Sequence, residues 1–161
     1  MKSFVLVVDD SLTVRMDIGE AMQAAGLEPV LCADLRSARA ALTEGECDLI
    51  VLDVLLPDGD GLDFLQEVRQ SSATSQIPVL LLSSEGEVKN RVRGMRVGAD
   101  EYVGKPYDVG QVVARARALL RAGVTPTSNR RVLVIDDSAT FRYALQHAFS
   151  SAGYEVHEAV T

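Results

Sequence analysis

The chain has 161 residues, 47% of them hydrophobic and 5% aromatic, which suits one ordinary domain with its own core plus a remainder. A formal net charge of −7 argues against a nucleic-acid surface, and the two cysteines, Cys32 and Cys47, lack metal-ligand spacing and read as small apolar residues of a reducing compartment. No apolar stretch reaches membrane-spanning length and the run Phe4–Val8 is too short for a signal sequence, so a cytoplasmic protein is expected.

Short apolar runs alternate with amphipathic segments along the chain. Phe4–Val8 reads as a strand. Residues 11–25 read as a helix with Val14, Ile18, Ala21, Met22 and Ala25 on one face and Gly26 as its stop signal. A strand is expected at 29–33, a helix over Leu35–Glu44 and a strand at 49–52. A Pro/Gly-rich loop follows, then a helix from about 62 to 70, a strand at 78–82, a helix at 87–97, a short strand at 101–103 and a helix over Val109–Ala122. Runs such as Ile50-Val51-Leu52 and Val79-Leu80-Leu81-Leu82 do not alternate, which suits strands buried on both faces of a parallel sheet. Five such βα units with right-handed crossovers give an open, doubly wound five-stranded sheet with its site at the carboxyl ends of the strands.

Residues 123–130 read as a linker. After it the chain repeats itself: positions 5–26 match 132–153 at a constant shift of 127, with 11 identities in 22, including Asp9/Asp136, Asp10/Asp137, Ser11/Ser138 and Arg15/Arg142. The apolar helix face is matched by Phe141, Leu145, Ala148, Phe149 and Ala152. A β-α-β piece of this size cannot close its own core, so residues 131–161 are expected to be a fragment of a second domain, docked through that face.

The chemistry-bearing residues fall at strand tips: Asp9 and Asp10 after the first, Asp53 at the third, Ser83 and Ser84 at the fourth, Lys105 after the fifth. Three carboxylates in one crevice repel each other, and a hard divalent ion removes that penalty. Mg²⁺ takes one or two carboxylates together with waters and phosphate oxygens, and a lysine and a hydroxyl at the rim complete a site suited to phosphoryl transfer.

With those residues in place, the chain resembles the receiver domain of bacterial two-component response regulators. The resemblance spans residue 3 to about 122 and rests on Val7-Val8-Asp9-Asp10-Ser11, on Asp53 through Gly61, on Leu82-Ser83-Ser84 and on Gly98 through Pro106. It implies a flavodoxin-like (βα)5 fold with strand order 2-1-3-4-5 and the domains 1–122 (receiver), 123–130 (linker) and 131–161 (start of a second receiver). It also implies that Asp53 is the phosphoacceptor, taking a phosphoryl group from the phosphohistidine of a histidine kinase or a phosphotransfer protein. Asp10 and Asp53 would bind Mg²⁺ directly, Asp9 mainly through water, and the Leu55 backbone carbonyl would complete the site, with Mn²⁺ able to substitute. Lys105 would pair with phosphoryl oxygens, Ser83 would hydrogen-bond the bound group, and Tyr102 would be the switch aromatic. Pro106 would hold the Lys105 loop through a cis bond. Such a module is not a separate enzyme, although it catalyses its own phosphorylation and dephosphorylation.

Ser83 stands where the family more often has Thr, and Leu55 and Glu85 occupy positions that tune acyl-phosphate lifetime. An aspartyl-phosphate hydrolase would carry a second Asp at the position of Leu55, and a flavin binder would not place Asp9 and Asp10 in its first loop. Asp58, Asp60 and Asp63 invite a calcium-loop reading, but the twelfth position is Arg69, so a tight loop entering a helix is expected. His147 and His157 read as surface residues. Arg91, Arg93, Arg96, Arg115, Arg117 and Arg121 make the last two helices basic, either as a solvated face or as a homodimer surface beside Tyr102. The parent protein could equally be a hybrid sensor histidine kinase or a tandem-receiver cyclic-dinucleotide (diguanylate cyclase) regulator.

Overall fold

The computed structural model describes residues 2–84, 88–122, 131–135, 138–151 and 155–159. The chain divides into two compact units, Met1–Val124 and Thr125–Thr161.

In the first unit, strands β1 (Phe4–Val8), β2 (Glu28–Cys32) and β3 (Leu49–Asp53) are followed by two very short strands, β4 (Leu55–Leu56) and β5 (Gly59–Asp60), and then by β6 (Val79–Ser84) and β7 (Glu101–Lys105). Helices α1 (Leu12–Ala24), α2 (Leu35–Glu44), α3 (Gly61–Gln70), α4 (Val88–Val97) and α5 (Val109–Ala122) lie between and after them. The five long strands form one parallel sheet in the order β2-β1-β3-β6-β7. Counting the long strands alone, that is the 2-1-3-4-5 order of a receiver fold.

Continuous apolar strands serve two cores. Side chains alternate across a strand, so Leu6, Val8, Ile50, Leu52, Val79 and Leu81 meet α2 and α3 on one face, around Leu35, Ala38, Phe64, Leu65 and Val68. Val5, Val7, Leu49, Val51, Leu80 and Leu82 meet α1 and α5 on the other, around Ile18, Met22, Val112 and Ala116. Each helix contributes one apolar stripe, and burying both faces of the sheet is what removes the need for polar alternation. Cys32 and Cys47 are free thiols, and burial pushes the Cys47 thiol up to about 11, which keeps it an unreactive packing residue at neutral pH.

Among the differences from the sequence reading, three have an identifiable physical cause. Ser11 is the cap of α1, its hydroxyl accepting the Val14 amide at 3.3 Å, so the helix starts one residue later. Lys105 is the last residue of β7 rather than a loop residue beyond it, because pairing with β6 continues to Ser84↔Lys105. The Pro/Gly-rich loop is closed by the short antiparallel hairpin β4–β5, pairing Leu55 with Asp60 and Leu56 with Gly59. The predicted start of α4 at residue 87 lies outside the described residues.

Arg69, near the end of α3, ties the sheet's amino-terminal edge together. Its guanidinium donates to the carbonyls of Gly98 (2.9 Å), Ser75 (3.2 Å) and Ile77 (2.6 Å) and to Asp100 Oδ2 (2.8 Å), which also accepts the Val79 amide at 2.8 Å. Both side chains are largely buried, so removing one partner strands the others. Arg69→Met is expected to lower stability by about 2 kcal/mol in urea unfolding; a loss below about 0.5 kcal/mol would show the ties to be replaceable by water.

The second unit consists of β8 (Arg131–Ile135), α6 (Ala139–Ser151) and β9 (Glu155–Ala159), with β8 and β9 parallel. Its register, Val132↔Val156, is that of Val5↔Pro29 moved by 127 residues. The repeat seen in the letters is therefore a repeat of backbone pairing as well. Leu145 and Phe149 of α6 are buried.

Candidate functional site

The site is assembled from chain segments that are far apart in sequence and meet at the carboxyl edge of the sheet. Asp9 leaves β1 with its amide donating to the Cys32 carbonyl (3.1 Å). Its Oδ1 accepts the Ser11 amide at 2.9 Å, and its carbonyl accepts Arg15 Nη1 at 2.7 Å. Asp53 closes β3, with the Leu55 amide 3.4 Å from its Oδ1. Lys105 closes β7 and donates from Nζ to Asp9 Oδ2 (3.3 Å) and Asp53 Oδ2 (3.4 Å). Carboxylate oxygens of Asp9, Asp10 and Asp53 all lie within 4.8 Å of one another. Asp9 is fully buried, Asp53 is 5% exposed, and Asp10 faces solvent.

This geometry concentrates negative charge in a poorly hydrated crevice. Burial first, and the Asp9 charge second, hold the Asp53 carboxyl above the usual carboxylate range, with Lys105 opposing them. For Lys105 burial pulls downward, but Asp53 and then Asp9 outweigh it and raise the ammonium's pKa overall. One ammonium does not balance three carboxylates. The donor set is all oxygen, partly buried and open to solvent at Asp10, which is what a hard divalent cation such as Mg²⁺ requires. No other such group of three His, Cys, Asp or Glu side chains occurs among the described residues.

Ser83 is buried near the end of β6, opposite Gly104 of β7. Tyr102, two residues earlier on β7, packs its ring against the α2–α3 side of the core with the Arg91 guanidinium 5.3 Å above it. Its hydroxyl is shut off from solvent without a hydrogen-bond partner among the described residues. The Lys105–Pro106 peptide is cis. Leu55 turns its side chain outward, 67% exposed. Asp136, Asp137 and Glu85 lie outside the described residues.

A model of the response regulator receiver domain matches residues 5–117. The chain belongs to the response regulator receiver domain family. The receiver is 37% identical over 129 residues to the phosphate regulon transcriptional regulatory protein PhoB of Escherichia coli, covering 80% of this chain and 56% of that protein. The chain thus spans little more than half the length of the curated relatives it matches. Among solved structures it is similar to the chemotaxis response regulator CheY4 of Vibrio cholerae (30% identity, TM-score 0.69, 73% of this chain and 98% of that one). It is also similar to the BeF3-activated DrrB receiver domain (26% identity, TM-score 0.68, 75% and 99%). No described helix of the receiver is long and apolar enough to cross a membrane.

Three supports of the receiver's site were not identified in the sequence. Arg15 anchors the Asp9 carbonyl, and its recurrence as Arg142 was the available signal. Gly61 lets α3 begin directly against the Asp53 backbone, donating its amide to the Val54 carbonyl at 2.7 Å. The acidic loop residues are committed to partners within the protein. Asp58 accepts the Leu35 and Arg36 amides, Asp60 caps α3 and pairs with Arg93, and Asp63 pairs with the same Arg93. Three carboxylates turned to three different tasks do not form a calcium loop.

Proposed function

We propose that Asp53 accepts a phosphoryl group from a phosphohistidine. The observation that carries this reading is the Lys105 ammonium bridging Asp9 and Asp53 beside Asp10. Asp9, Asp10, Asp53 and the Leu55 backbone carbonyl would hold Mg²⁺, or Mn²⁺ in its place. When bound, the ion neutralises this cage and the approaching phosphoryl oxygens.

The chain's own groups do the rest. An Asp53 oxygen forms the new bond to phosphorus as the bond to the histidine nitrogen breaks, and the electron pair leaves with that nitrogen, which then picks up a proton. Lys105, kept charged by its two acidic neighbours, follows the phosphoryl oxygens. Ser83, buried at the end of β6, donates its hydroxyl to the transferred group. The added charge of roughly −1.5 to −2 then draws on Ser83 and on the neighbouring Tyr102, whose hydroxyl is buried without a hydrogen-bond partner among the described residues. The α4/α5 side around Tyr102 and Arg91 would be the homodimer surface that reads the change.

We further propose that residues 131–161 begin a second receiver, with Asp136 and Asp137 as its acidic pair. The shared register of β8–β9 and β1–β2 supports this.

The test locates the label. After incubation with acetyl phosphate and Mg²⁺, borohydride reduction converts an aspartyl phosphate to homoserine, and peptide mass spectrometry is expected to place it at position 53 alone. Homoserine elsewhere, at the stoichiometry of the uptake, would reassign the acceptor.

A further inference from the structure

One carboxylate of the acidic loop bears on the site without belonging to it. Asp58 sits in the β4–β5 hairpin, and its two oxygens take two amides of the α2 amino terminus: Leu35 at 2.9 Å on Oδ1 and Arg36 at 3.0 Å on Oδ2. That helix already has a cap of its own in Asp34, which accepts the Ser37 amide at 2.7 Å. A second carboxylate on the same helix end, brought from another part of the chain, is more than the helix requires. Held by both oxygens, at the positive end of the helix dipole, it cannot turn without losing a bond.

The other side of the hairpin leads to Asp53. Leu55 pairs with Asp60, and the Leu55 amide is the backbone group that reaches Asp53 Oδ1, at 3.4 Å. The hairpin is pressed close to α2: a Cβ added at Gly59 would stand 3.0 Å from Leu35 Cδ1. Asp58 therefore joins a rigid helix to the short backbone segment that orients the phosphoacceptor carboxylate.

We infer that Asp58 is a positioning residue for Asp53, a strut from α2 that fixes the hairpin and, through the Leu55 amide, the direction of the Asp53 oxygens. The inference rests on the reading of Asp53 as phosphoacceptor. A long amide contact holds the carboxylate only while the hairpin is immobile, so its precision comes from the strut.

The experiment uses the whole chain and Mn²⁺, with free ion counted by electron paramagnetic resonance, together with labelling rates from acetyl phosphate at saturating Mg²⁺. Asp58→Ala is expected to weaken Mn²⁺ binding about ten-fold. It should slow labelling similarly while leaving the KM for acetyl phosphate within about two-fold. Asp58→Asn keeps one acceptor oxygen but turns an NH2 group toward the other amide, and is expected to recover only part of both. Asp34→Ala weakens the same helix end without touching the hairpin, and is expected to lower the melting temperature with Mn²⁺ affinity unchanged. Two results would overturn the inference: Mn²⁺ affinity and labelling unchanged in a destabilised Asp58→Ala, or an equal loss of affinity in Asp34→Ala, which would trace the effect to helix stability alone. A parent chain that neither binds Mn²⁺ nor takes up phosphoryl would instead remove the phosphoacceptor reading itself, and the strut with it.

Discussion

Asp53→Asn is expected to take up no phosphoryl group from acetyl phosphate and Mg²⁺, where the parent chain is expected to take up one, and without metal the same variant is expected to be the more stable protein at pH 7. The first half follows from removing the proposed nucleophile: an amide oxygen does not form the acyl phosphate. Intact-mass spectrometry reads it, and equal uptake by both chains would place the acceptor elsewhere. The second half follows from electrostatics. Burial, and then Asp9, hold the Asp53 carboxyl above its ordinary value in the folded chain. A folded pKa above the unfolded one means that the folded chain binds more protons between the two, so this group's contribution to stability falls as pH rises through that window. The penalty is complete once pH exceeds the raised value. It shrinks as pH drops through the raised value and vanishes below the unfolded carboxylate value of about 3.9. The stability advantage of Asp53→Asn in EDTA should follow that course in melts taken at successive pH values. Mg²⁺ reverses the order, because a cation that binds only the folded parent stabilises it by mass action while the variant has lost a ligand. A parent more stable than the variant in EDTA at pH 7 would show that Lys105 compensates Asp53 in full and that the carboxylates are not a strained cage.

Gly61→Ala is expected to cost about 3 kcal/mol of stability and to disturb cation binding with it. The added Cβ would overlap the Asp53 carbonyl oxygen and lie 3.1 Å from its carbonyl carbon and 3.0 Å from Val54 Cα. All three are backbone atoms, so no rotamer change relieves the contact; either α3 moves out or the end of β3 does. That strand end carries Asp53, and the Gly61 amide also donates to the Val54 carbonyl. A urea midpoint within about 0.5 kcal/mol of the parent would mean that α3 can shift at its first turn without resistance.

Much of this receiver was readable from its letters because the decisive signals are local or periodic. Unbroken apolar runs marked doubly buried strands, and Asp9, Asp10, Asp53, Ser83 and Lys105 each fell beside a strand end once those strands were placed. The parts that escaped are those set by neighbours distant in sequence. Lys105 ended a strand rather than following one because β6 offered it a pairing partner. The hairpin Leu55–Asp60 could not be told from a loop, since two residues on each side carry no periodicity. Asp58, Asp60 and Asp63 looked like one cluster and were divided among α2, α3 and Arg93.

The sequence settled the strands, their burial on both faces and which side chains stand at the strand tips, because strand propensity and side-chain period are properties of adjacent residues, while the strand order came with the family resemblance. Only the folded chain decided that Lys105 spans Asp9 and Asp53, that Arg69 gathers three carbonyls and Asp100, and that Asp58 braces the hairpin against α2. Those contacts depend on which strands lie side by side and how tightly helices pack on them, and distances of about 3 Å between groups tens of residues apart are fixed by that packing rather than by any local pattern.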